Sequence, residues 1–154
     1  MTLLLVLNLH GAINASGPVR QALEEMKVAK RFSASVVPND ASTMGALKLC
    51  KERVSWAPVE QELLTMLLKK RGMVSDTRIL DSASLKKMGF ADHEELAAKM
   101  VKDEMRLSSV AGLRPFFRLN SPKGGFKKSM RRGTAEGGLL GSNPNLAQLV
   151  GRML

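Results

Sequence analysis

The stretch LLLVLNLHG, residues 3–11, decides how this chain folds. Its apolar residues do not alternate with polar ones, so a strand built from it has no face to give to water. It must lie centrally, buried on both sides. Gly11 ends the run, and the hydrophobic period then changes. Ser16 and Pro18 stand where a helix N-cap and first turn belong, and Val19, Ala22, Leu23 and Met26 recur at spacings of three and four. Residues 32–37 read as a second strand stopped by Pro38. Asp40 then caps a helix with Met44, Leu47 and Cys50 along one side, and residues 54–57, with Trp56, read as a third strand. Strand, helix, strand, helix, strand within residues 1–57 predicts an α+β fold. Its body is a small antiparallel sheet with both helices on one face, in the split βαβ style.

Residues 58–112 read as a helical insertion that supports this sheet. Pro58 and Glu60 open a helix expected to turn Val59, Leu63, Leu64, Met66 and Leu67 inward, and Lys69, Lys70 and Arg71 suit its negative end before Gly72. A short helix over 81–88 closes at Gly89. Asp92 and Glu95 have capping-box spacing for another, carrying Leu96, Ala97, Met100 and Val101. His93, among three acids, reads as a surface residue.

The last part, 113–154, differs in kind. Residues 115–119 (PFFRL) form another strand, on an edge because proline lacks a ladder donor. Asn143 before Pro144 caps a final helix with Leu146, Leu149, Val150 and Met153 on one stripe. Between them runs a glycine-rich basic arm, so that 113–141 carries seven Lys or Arg and one acid, Glu136. The formal net charge is +10; residues 113–154 hold eight bases and one acid, which places seven of the ten excess charges there. Such concentration marks a docking surface for a polyanion, and the pattern favours RNA over DNA. Alone, the arm is expected to wander in solvent, because few of its side chains are apolar and its glycines lose much entropy on ordering.

Within it Lys123, Lys127, Lys128, Arg131 and Arg132 are expected to meet phosphates, with Gly124 and Gly125 allowing close approach. Arg114 belongs to the same basic surface, and Arg118, alternating with Phe117 and Leu119, should face the same partner. Phe126 has two readings left open, stacking on an unpaired base or plugging the body.

Other chemistries lack their constellations. The two histidines, His10 and His93, lie in no catalytic or metal-binding motif, and one cysteine, Cys50, excludes an internal disulfide and a four-cysteine zinc site and suits a reducing cytoplasm. GGFKKS lacks the glycine spacing of a phosphate-binding loop. The opening apolar run is too short for a membrane span, which needs about 20 residues, and no basic residue precedes it as in a signal peptide. Neither a cofactor, nor a small-molecule substrate, nor a membrane is implied.

Several of these residues stand together in a known arrangement. Val36, Val37 and Pro38, Trp56 after the third strand, LRPFFRLNSPKGGF at 113–126, EGG at 136–138 and a closing amphipathic helix ending in RML closely resemble the archaeal branch of a ribosomal family. It is the large-subunit family numbered thirty in bacteria and archaea, whose eukaryotic members are numbered seven; the bacterial form resembles only the first 60 residues. The resemblance implies a ferredoxin-like body with helical and C-terminal extensions. It also implies a structural, non-catalytic role in the cytoplasmic ribosome, with large-subunit ribosomal RNA and neighbouring ribosomal proteins as partners. A nonspecific DNA- or single-strand-binding protein would use the same charges and is the alternative.

Overall fold

A computed structural model describes residues 2–74, 78–103 and 105–154. Its centre is β1 (Leu3–Asn8), and all six of its residues are buried. β1 pairs antiparallel with β2 (Ser33–Pro38) on one side, with Leu5 opposite Val36, and with β3 (Val54–Pro58) on the other, with Val6 opposite Trp56. The first strand is thus inserted between the next two, which is the split βαβ body expected within residues 1–57.

Side-chain alternation along β1 then sets up two cores. Leu4 and Val6 face α1 (Gly17–Glu25) and α2 (Ala41–Leu49), packing with Ala22, Leu23, Met26, Leu47, Cys50 and Trp56. Leu3, Leu5 and Leu7 face the opposite way. They pack with residues of α3 (Gln61–Arg71), α4 (Ser82–Lys87), α5 (His93–Asp103) and α6 (Leu146–Met153), including Leu64, Leu68, Leu85, Met100 and Val150. The α1–α2 pair lies on one face as expected. The later helices cover the second face, which explains why β1 is apolar at every position but Asn8.

Asn8 is fully buried yet satisfied: its Nδ2 donates to Val28 O at 2.6 Å and its Oδ1 accepts from the His10 and Gly11 N–H groups at 3.0 and 2.8 Å. A polar residue in this position therefore bends the chain out of β1 without an unmet hydrogen bond.

Three local expectations are corrected. Pro58 does not open α3 but closes β3 opposite Leu4, and the Val59 N–H continues that ladder by donating to Leu3 O. Met66 is 45% exposed, and Leu68 is buried in its place. Leu63, Leu64, Leu67 and Leu68 form one stripe, and at ~100° per residue Met66 falls on its far side. Asn143 is not the cap of α6: the helix begins three residues later, after Asn145, and the Asn143 Oδ1 accepts from the Asn145 N–H at 3.0 Å in the preceding turn. Elsewhere the capping pattern holds in a shifted form, with Glu95 Oε2 accepting from the Ala91 N–H at 2.7 Å.

The largest difference concerns the arm, which does not wander. The segment supplies both edges of a six-stranded sheet ordered β4-β2-β1-β3-β6-β5, where β4 is Phe117–Arg118, β5 is Ser129–Gly133 and β6 is Gly138–Ser142. β4 lies antiparallel on β2, as an edge strand, and β6 lies parallel on β3 with Trp56 opposite Ser142. An estimate based on side chains alone overlooks the backbone groups that β3 offers, and the burial of Leu139 and Leu140 on β6 adds an apolar anchor.

Candidate nucleic-acid interface

The interface is built on that outer strand and on the loop that leads to it. Arg114 is half-buried, its N–H donating to Met73 O at 2.8 Å. On β4 the alternation holds: Phe117 and Leu119 are buried and Arg118 is exposed. A tight turn follows, closed by the Gly125 N–H donating to Pro122 O at 3.0 Å, with Gly124 and Gly125 at φ of 78° and 73°. That left-handed backbone is what requires glycine here. A Cβ on either would meet no protein atom within 4 Å, so the turn projects open backbone toward solvent.

The turn is held from behind by α6. The Lys123 N–H donates to Arg152 O at 2.9 Å, and Arg152 Nη1 donates to Gly125 O at 2.9 Å and Lys123 O at 3.4 Å. Phe126 comes next and turns inward. Its ring rests 5.9 Å from that of Phe32, tilted by 32°, and it packs against the main core. Of the two readings open for Phe126, this geometry supplies the plug. Phe32 is itself a junction: at φ +58° it accepts from the Leu119 N–H, donates its own N–H to Asn8 O, and carries the Arg31 guanidinium 4.7 Å above its ring.

Lys127, Lys128, Arg131 and Arg132 are all exposed. His10, at the end of β1, fastens β5 to the body through Nε2, which donates to Met130 O at 2.6 Å. Gly138 fastens it to β6, because a Cβ there would run into the Arg132 carbonyl. Among the described residues the ion pairs are Lys69–Glu94 and Arg106–Asp40, and neither involves an arm cation. Among the described residues, then, no ion pair compensates the arm's positive charge.

Three residues outside the arm join this surface. Arg31 lines a depression with His10, Phe126, Lys128 and Arg131, and Arg53 lines an adjoining one with His10 and Arg131. Arg152 lines a third with Lys127 and Lys128. Arg31 had a sequence signal, the cluster of Lys27, Lys30 and Arg31, and Arg152 was the eighth base of the 113–154 block; Arg53 had none, since only the fold brings it beside β5.

Remaining chemistry-bearing residues have structural partners. His93 is half-buried, its Nε2 bonded to Leu80 O at 3.0 Å, so it is not the plain surface residue expected. Cys50 lies in the smaller core, where burial pushes its thiol above the ordinary range against a weaker opposing pull from Arg53. Among the described residues no three His, Cys, Asp or Glu side chains converge as metal ligands, and no helix is long and apolar enough to cross a membrane.

Comparison with known proteins gives a consistent picture. No protein-family model matches the chain. It is 35% identical over 156 residues to the large ribosomal subunit protein uL30 of Thermofilum pendens, with all of both chains covered. It is 34% identical over 155 residues to that of Ignicoccus hospitalis, covering 99% of this chain and 98% of the relative, and 29% identical to that of Nitrosopumilus maritimus, covering 97% of each. A shared sequence running from end to end, on the body, helices and arm described above, means that this chain belongs to the uL30 family of large ribosomal subunit proteins.

Proposed function

We propose that this protein is a structural, non-enzymatic constituent of the large ribosomal subunit, working in the cytoplasmic ribosome by holding ribosomal RNA against its basic edge. The observation that carries this reading is the uncompensated charge on β5 and the glycine turn, presented on backbone that the protein has already ordered. Residues 1–57 supply the adjacent strands β2, β1 and β3, 58–112 buttress the second face of the sheet, and 113–154 add its outer strands and make the RNA contact. Lys123, Lys127, Lys128, Arg131 and Arg132 neutralise phosphates, and Arg118, exposed on β4 at the opposite edge of the sheet, makes a separate RNA contact with Arg114 before it. Gly124 and Gly125 let the RNA backbone approach, and Phe126 keeps the turn seated on the body. Neighbouring ribosomal proteins complete the surroundings.

Replacing Lys123, Lys127, Lys128, Arg131 and Arg132 together by alanine tests the reading. Each phosphate contact contributes roughly 0.7–0.9 to the slope of log affinity against log salt, so five lost contacts should flatten it by about 3.5–4.5. Incorporation into large subunits should be abolished while the urea midpoint of the free protein stays in place. Undiminished incorporation, or equal affinity for duplex DNA and large-subunit RNA at one salt concentration, would overturn the reading.

A further inference from the structure

Between the arm and α6 lies a groove of about 470 Å³ lined by Lys127, Lys128, Leu139, Asn143, Gln148, Leu149 and Arg152, among others. Its size falls within the ~300–1,000 Å³ typical of small-ligand pockets. Its chemistry is divided. Leu139 and Leu149 give it an apolar wall, while Lys127, Lys128, Gln148 and Arg152 bring hydrogen-bond donors to its rim. Arg152 commits Nη1 to the carbonyls of Lys123 and Gly125, and its other guanidinium nitrogens make no bond among the described residues.

The decisive atom is Asn143 Nδ2. Asn143 is 3% exposed and lines the groove, and its Nδ2 has no hydrogen-bond partner among the described residues. The amide cannot simply be turned over, because Oδ1 already accepts from the Asn145 N–H. An aspartate would make that turn as well, so the turn explains the oxygen and leaves the nitrogen unexplained. A buried donor left unmet costs about 1–3 kcal/mol, a cost that an acceptor brought in through the groove would relieve.

We propose that this groove takes one unpaired nucleotide of the bound RNA. Its phosphate sits at Lys127, Lys128 and Arg152, its base lies along Leu139 and Leu149, and base carbonyl or ring-nitrogen acceptors take hydrogen bonds from Asn143 Nδ2 and Gln148 Nε2. A base within a helix has its Watson–Crick edge occupied and its faces stacked, so only a nucleotide from a loop, bulge or end can enter. The inference rests on the RNA-binding reading above and adds to it a site that discriminates paired from unpaired RNA.

The experiment uses the full chain labelled with ¹⁵N and titrated with each ribonucleoside monophosphate, with inorganic phosphate and the nucleosides as separate arms. At least one nucleotide should shift the side-chain amide signals of Asn143 and Gln148, and phosphate alone should not reproduce the Asn143 shift. Asn143→Asp keeps the turn acceptor but removes the donor, and Gln148→Leu changes an exposed helix position that the fold does not need. Each should weaken binding of large-subunit RNA about three- to tenfold, the range expected for a lost hydrogen bond. If no nucleotide moves the Asn143 signals, or if phosphate alone moves them equally, the groove has no nucleotide site. If both variants bind this RNA undiminished while the five-alanine arm variant does not, this inference fails and the arm reading stands. If the arm variant also binds undiminished, both fail.

Discussion

β1 and β5 belong to one sheet and have almost nothing else in common. β1 is buried at all six positions and is held by apolar side chains packed on both faces. β5 has three exposed positions out of five and is held by its backbone pairing with β6, by one histidine from the body and by the close approach of Gly138. Their separation shows how a small protein can carry concentrated like charge. Self-repulsion among the arm cations would destabilise a compact fold if the fold depended on the segment bearing them. Here stability is generated three strands away, and the charged strand is attached to an existing edge.

The sharpest way to break this comparison is to attack the centre. Leu5→Ala should cost about 3–5 kcal/mol and unfold edge and centre together, as read by urea denaturation, because Leu5 is 1% exposed within the larger core. A loss below 1 kcal/mol would mean the sheet does not depend on β1. Gly138→Ala should cost less, about 1–3 kcal/mol, and act locally: amide exchange should quicken along β5 and β6 while β1 stays protected. Equal acceleration in β1 would erase the distinction between attached edge and supporting centre.

A finer cut is Arg152→Ala, which frees the carbonyls of Lys123 and Gly125. About 1 kcal/mol of stability should go, with faster exchange confined to the glycine turn. The smallest effect belongs to Lys69→Ala. Its partner Glu94 is 69% exposed and Lys69 itself 51%, so solvent screens the pair and the midpoint should shift by less than about 0.5 kcal/mol. A larger shift would mean that surface charge, rather than burial, holds α3 against α5.

The sequence alone determined the body of this protein, its order of strands and helices, and the residues that carry its charge. These are consequences of local patterning: an unbroken apolar run demands a doubly buried strand, and a block of cations with one acid cannot neutralise itself. Tertiary structure alone decided that the arm is ordered, that Phe126 points inward, that Pro58 ends a strand, and that Arg31, Arg53 and Arg152 stand beside the charged edge. The physical reason is that β6 is held by backbone hydrogen bonds to β3, far back along the chain, with β5 attached in turn to β6, and backbone groups are the same for every residue. No side-chain pattern in 129–142 announces which strand edge will be open to receive it.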